Sequence, residues 1–267
     1  MIRSDNLNLS PGTKQVIAFS LFGNSTLYTI GAIRNAEQIP ALYPGWIPRF
    51  YIDESVPSDI VQQLHRLGAE VIPISHDKPW MIYGRLWRYL ALDDEDVNRV
   101  MFRDTDTRIS TRELEAVNTW MRSAPRYHIM RDHPNQMQLI VPGQWSATAQ
   151  HIRSRISTLQ TLQYISDKYG SSMDDGSSLE HIWLTTFIWP LIKSNVLVHD
   201  AFHCQVFESE VVSRPFPGPR EWHGDYVGRP IVERFDQQSD YFINGQRELF
   251  GGIVPIECRL SEQHVQG

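Results

Sequence analysis

Short apolar runs alternate with amphipathic stretches along the first half of the chain. Val16-Ile17-Ala18-Phe19 is continuously apolar, the pattern of a strand buried on both faces of a parallel sheet. A Gly- and Asn-containing turn, Ser20–Asn24, follows it, and then a helical stretch from about Leu27 to Ala41, which Tyr43-Pro44-Gly45-Trp46 breaks. Phe50-Tyr51-Ile52 predicts a second strand, ending at Asp53. Pro57-Ser58-Asp59 opens a helix with Ile60, Leu64 and Leu67 on one face, and Gly68 stands at its C′ position. Val71–Ile74 predicts a third strand. A helix over 81–92 follows, with Ile82, Leu86 and Leu90 on an apolar face and Arg85, Arg88 and Leu92 on another. Val100-Met101-Phe102 is the fourth strand. Ser110-Thr111-Arg112-Glu113 then reads as a capping box that opens a helix with Leu114, Val117 and Met121 in step.

The second half is less regular. Tyr127–Met130 predicts a strand, Pro142–Trp145 a loop, and 146–168 a helix. A Gly/Ser/Asp-rich stretch over 170–178 leads to a helix from Leu179 that stops before Pro190, and Val196–Val198 predicts a short strand. Residues 214–230, rich in Pro, Gly and aromatics, predict ordered irregular loops, and residues 1–14 a loose lead-in. The β-α-β-α-β-α-β order implies a mostly parallel sheet with right-handed crossovers, in which ligands bind at the carboxyl ends of the strands.

Composition narrows the class. The chain has 267 residues, enough for one large α/β domain, and is 41% apolar with 8 Trp, 10 Tyr and 11 Phe, which supplies a substantial core. A net charge of -6 argues against a dedicated nucleic-acid binder. Two cysteines, Cys204 and Cys258, are too few to point to a disulfide framework or a zinc cluster. There is no run of 18 apolar residues and no signal-peptide pattern, so a cytoplasmic protein without a transmembrane segment is expected.

Chemistry concentrates after the fourth strand, in Phe102-Arg103-Asp104-Thr105-Asp106. In extended backbone, side chains at i and i+2 share a side, so Asp104 and Asp106 can present two carboxylates together. Such hard oxygen ligands suit Mg²⁺ or Mn²⁺, above all a cation that also holds phosphates. The plain alternative is an acidic turn. Ser20–Asn24 and Asp53 fall at the same ends of the sheet. Arg85 and Arg88, one helical turn apart, have the guanidinium groups that suit phosphates or the two carboxylates.

Together with Tyr43-Pro44-Gly45-Trp46, Arg49–Asp53, His128–Pro134, Trp189–Ile192 and Val198-His199-Asp200, these segments resemble a group of bacterial and viral GT-A glycosyltransferases of polysaccharide biosynthesis. The resemblance covers roughly residues 15–235. It implies a single GT-A (Rossmann-like) catalytic domain over 1–267, with residues 15–125 as the nucleotide-sugar half and 126–235 as the acceptor side. The implied donor is a nucleoside-diphosphate sugar and the acceptor a glycan or other hydroxyl compound, with no nucleic acid involved.

The resemblance assigns the metal to Asp104 and Asp106, with His199 as a third ligand or His223 in its place. It places the donor's base and ribose against Ser20, Leu21, Phe22 and Gly23, an ordinary βα turn being the alternative. Asp53 could accept from the donor or cap a helix, and Arg85 or Arg88 could reach the donor or Asp104 and Asp106, with solvent-facing salt bridges as the alternative. Asp132, or the adjacent His133, is implied as base or sugar ligand, and Asp174 and Asp175 as acceptor-side carboxylates, against capping roles for each. Trp145, Trp222 and Tyr226 are aromatics that could stack on sugars, although core positions suit them as well. Two segments depart from the group's pattern: Ile140–Trp145 replaces a small, Gly-rich stretch, and Asp174-Asp175-Gly176 replaces an Asp-Gln. A glycan-binding protein that has lost turnover is the non-enzymatic alternative. A haloacid-dehalogenase-type phosphatase also carries D-x-D, but on its first strand.

Overall fold

The computed structural model describes residues 12–77, 81, 83–170, 176–207, 209–221, 225–234 and 237–241. Its centre is a seven-stranded sheet built from β1 (Lys14–Leu21), β2 (Trp46–Ile52), β3 (Glu70–Pro73), β4 (Val97–Phe102), β5 (Tyr127–Arg131), β6 (Trp145–Thr148) and β7 (Val196–Asp200). The strand order is β3-β2-β1-β4-β6-β5-β7. The four N-terminal strands are mutually parallel, β5 is parallel to β7, and β6 lies antiparallel between β4 and β5. A separate two-stranded ribbon joins β8 (Val232–Arg234) to β9 (Gln237–Tyr241).

Alternation along β1 explains the layers. Val16 and Ala18 face one core, together with Phe102, Trp145 and Trp183. Ile17, Phe19 and Leu21 face the other. That second core is closed by α1 (Thr26–Leu42), α2 (Ser58–Arg66) and α3 (Thr111–Arg122) through Ala32, Ile33, Leu64, Val117 and Trp120. The first is covered by a 3-10 segment (Gly84–Leu92) and by α4 (Ala149–Arg153), α5 (Thr158–Tyr169) and α6 (Gly176–Trp183). Gly68 closes α2 at a φ of 78°, which favours glycine, and the Ser110 hydroxyl accepts from the Glu113 amide at the start of α3.

Three expectations are corrected. The helix expected over 81–92 is a 3-10 segment, Gly84–Leu92, buried on nearly every side. Three residues per turn stack i on i+3, so Arg85 and Arg88 stand in one row. The helix expected over 146–168 is split: Trp145–Thr148 is a strand, and α4 and α5 follow separately. Pro190 does not end its helix either. A π-turn, Leu184–Ile188, precedes it, and α7 (Trp189–Ile192) carries Pro190 in its first turn, where a missing amide hydrogen is tolerated.

Candidate functional site

A cavity of about 280 Å³ opens at the carboxyl ends of β1 and β4. Ser20 and Phe22 wall it from the end of β1, Tyr28 from α1, Arg85 and Arg88 from the 3-10 segment, residues 104–107 from the turn after β4, and Gly228 and Pro230 from the C-terminal side. The aspartate turn is held from below by α1. Asn35 Nδ2 donates to the Thr105 and Thr107 carbonyls at 3.3 and 3.0 Å, and a Cβ on Gly31 would overlap the Thr105 carbonyl. Thr107 closes the turn on itself, its hydroxyl donating to the Asp104 carbonyl at 2.9 Å. The neighbouring Arg103 is buried and spans to Glu113 at 2.7 Å, so its role is in the scaffold.

The two carboxylates differ in surroundings. Asp104 is 44% exposed and accepts from Arg88 Nη1 at 2.5 Å. Asp106 is largely enclosed. Burial first, and then the Asp104 charge beside it, push its carboxyl up to about 6. An acid raised in this way gains from a cation next to it, and the donors are hard oxygens. The pair therefore fits a divalent cation. Among the described residues no third His, Cys, Asp or Glu joins them, which leaves the other coordination positions to water or to a ligand's oxygens.

Arg88 is itself bracketed. Its Nη2 donates to Glu180 Oε1 at 2.7 Å, and the Tyr89 hydroxyl donates to the same oxygen at 2.7 Å. Arg85 is exposed in the cavity and makes no ion pair among the described residues. Ser20 Oγ accepts from the Arg88 amide at 3.0 Å. Phe22 is 42% exposed, sits edge-on to Trp87 and rests on Gly84, where a Cβ would strike its ring.

A strap formed by residues 225–231 crosses the cavity's far side. The Ile231 amide donates to the Asp106 carbonyl at 2.7 Å, and Thr107 forms a bridge with Pro230. Its anchor is Asp132. That carboxylate, with no exposed surface, accepts from Arg112 at 2.9 and 3.0 Å, from Arg220 at 2.6 Å and from the Val227 amide at 3.0 Å. Gln136 Nε2 holds the Val227 carbonyl at 3.1 Å.

Several expected site residues are placed elsewhere. Asp132 is enclosed by its two arginines and has no opening to an acceptor, so the expected base is a structural anchor. His199 is 1% exposed, and its Nδ1 lies 2.8 Å from Nε2 of the fully buried His128, with Phe216 beside it. It does not group with Asp104 and Asp106. Burial, then Arg214 and Arg112, lower its imidazole to about 4. Leu21 points into the core under α1. The Asp53 carboxylate is taken by Ser55 and, at 3.0 Å, by His76. The Gly23 amide donates to Ser55 Oγ, and neither Gly23 nor Asp53 lines the cavity. Trp145 is core, while His133 packs against Tyr226 at 4.4 Å. Asp174, Asp175, Trp222 and His223 lie outside the described residues.

Sequence reasoning missed Tyr28, Gly143 and Glu180. Tyr28 sits on the first turn of α1, close behind a strand-end turn, which was the available signal. The other two are brought in by tertiary contacts alone.

No family model and no curated protein sequence matches the chain. Among solved structures it is similar to the galactosyltransferase LgtC in complex with donor and acceptor sugar analogs. That match has 15% identity and a TM-score of 0.44, over 69% of this chain and 73% of that one. It is also similar to the glycosyltransferase GlyE of Streptococcus pneumoniae TIGR4, at 12% identity and a TM-score of 0.44, over 76% of this chain. There it spans less than half of the other protein, 45%. A third likeness is to the 4-diphosphocytidyl-2C-methyl-D-erythritol synthase of Anaerococcus prevotii DSM 20548, at 11% identity and a TM-score of 0.41, over 70% and 87%. Its own sheet order is that of a mostly parallel, Rossmann-like α/β sheet with one antiparallel strand, β6.

Proposed function

We propose that this chain is a metal-dependent glycosyltransferase that moves a sugar from a nucleoside-diphosphate donor to a hydroxyl acceptor, in glycan or polysaccharide biosynthesis. The observation that carries the reading is the placement of Asp104 and Asp106 beside Arg85 and Arg88 around one cavity at the carboxyl ends of β1 and β4. Acids alone would repel a diphosphate. Acids that hold Mn²⁺ or Mg²⁺, next to free guanidinium, attract it.

Asp104 and Asp106 would hold the cation, which when bound supplies positive charge to the donor's diphosphate and to the nucleoside diphosphate as it leaves. The chain's own residues do the rest. Arg85 meets phosphate oxygens from the open side of the cavity. Arg88 fixes Asp104 in place. Phe22 and Tyr28 offer exposed ring faces for the base or the sugar, and the Ser20 hydroxyl offers a polar contact beneath them. The strap at Gly228 and Pro230 limits the water around the diphosphate, so the electrostatic contacts work in a lower dielectric. Asp174 and Asp175 are the proposed acceptor-side carboxylates, as base in an inverting transfer or as stabiliser in a retaining one.

Calorimetric titration of UDP, GDP and dTDP, with and without Mn²⁺, tests the reading. One of them should bind in a Mn²⁺-dependent way. A chain that binds glycans yet none of the three nucleotides would be a lectin-like module instead.

A further inference from the structure

We propose that Glu180 tunes the aspartate pair for a cation by holding Arg88 between two carboxylates. This rests on the reading of Asp104 and Asp106 as a cation site. Arg88 is buried, and one guanidinium edge reaches Asp104 Oδ1 at 2.5 Å while the other reaches Glu180 Oε1 at 2.7 Å. Glu180 is 1% exposed and comes from α6, 92 positions further along the chain. The Tyr89 hydroxyl donates to the same carboxylate oxygen. That oxygen thus accepts from a guanidinium as well as a phenol, and with Arg88 it makes a buried ion pair.

Glu180 does not line the cavity, so it has no ligand of its own to meet, and its effect passes through Arg88. Two arginines, Arg88 and Arg108, act on the neighbouring Asp106 with positive charge. Without Glu180, the full charge of Arg88 would fall on the aspartates and compete with any cation there. With Glu180 in place, the Arg88–Glu180 pair is neutral as a unit. Arg88 can then orient Asp104 through a hydrogen bond without cancelling its charge. Coulomb energy falls only as the inverse of distance, so a buried charge one residue removed from the ligand still acts on the cation. Glu180 is on this account a positioning residue, and α6 is linked through it to the metal site.

The test is the affinity for Mn²⁺ alone, read from the electron paramagnetic resonance signal of the free ion, so that catalysis is not involved. Glu180→Gln keeps the shape and one oxygen able to accept from both Arg88 and Tyr89, and it should weaken Mn²⁺ binding by about tenfold or more, the usual cost of losing a group behind a metal ligand. Arg88→Gln/Glu180→Gln removes the opposing charge as well and should recover most of that loss. The matched pair Glu180→Asp and Glu180→Asn shortens the side chain equally and differs in charge, so the Asp variant should bind more tightly. This pair carries the test if the Gln variant does not fold. Equal affinities in wild type and Glu180→Gln, in a double variant and Glu180→Gln, or across the Asp/Asn pair would overturn the proposal. A wild-type chain that binds no Mn²⁺ would instead remove the cation reading beneath it.

Discussion

Gly143 lies against the carboxylate of Asp104: a Cβ built on Gly143 overlaps Oδ2 and stands 2.7 Å from Cγ. The segment that departs from the resembling group, Ile140–Trp145, thus packs through Gly143 against one carboxylate of the candidate site. Asp104 cannot swing aside freely, because Arg88 holds it at 2.5 Å. Gly143→Ala is expected to break that ion pair and to lower Mn²⁺-dependent nucleotide binding at least tenfold. Its circular dichroism should stay that of the wild type.

Arg85 faces the cavity without an ion-pair partner among the described residues, so it contributes little to the fold. Arg85→Gln should leave the thermal midpoint within a degree or two, on the order of 0.5 kcal/mol or less. The same variant should raise the KM for donor several-fold. An unchanged KM would show that the diphosphate does not reach this guanidinium.

Asp132 is expected to behave as an anchor. Its carboxylate is fully buried between Arg112 and Arg220 and also holds the Val227 amide. Asp132→Ala leaves two guanidinium groups without their counter-charge, which costs about 3–5 kcal/mol. Urea unfolding should show this loss. A variant of wild-type stability with turnover alone abolished would return Asp132 to a catalytic role.

The His128–His199 pair makes a prediction about pH. Burial is the main cause that keeps both imidazoles neutral in the folded chain, His199 at about 4 and His128 well below the usual range. An unfolded chain protonates them below about pH 6.5. Their contribution to stability is therefore complete above about 6.5 and is lost as the pH falls from there toward 4. For His199 the loss at pH 5.5 is roughly 1 kcal/mol. Urea midpoints measured at pH 7 and 5.5 should converge more closely in His199→Gln than in wild type.

The first half of the fold was legible because β1, β2 and β4 carry buried, continuous apolar runs, with Gly68 and Ser110 marking helix ends. β6 was not legible. Trp145-Ser146-Ala147-Thr148 alternates apolar and polar over only four residues, too short to stand out from the helix that follows, and it is held as a strand between β4 and β5. The aspartate pair and the two arginines of the 3-10 segment were readable from local spacing. Glu180 was not, since only the packing of α6 brings it to Arg88. Asp132 and His199 illustrate the opposite error. A polar residue at a strand end resembles a ligand-binding group, but the sequence does not say whether its side chain turns to the cavity or to buried partners such as Arg112 and His128.

The central claim is that Asp104 and Asp106 hold a cation for a sugar-nucleotide donor. Its most direct test is hydrolysis of a panel of UDP-, GDP- and dTDP-sugars by wild type and by Asp106→Ala, with Mn²⁺ and with excess EDTA. The account predicts release of the nucleoside diphosphate from one donor class by wild type with Mn²⁺, and none with EDTA or in the folded variant. Full turnover by Asp106→Ala in excess EDTA would contradict it.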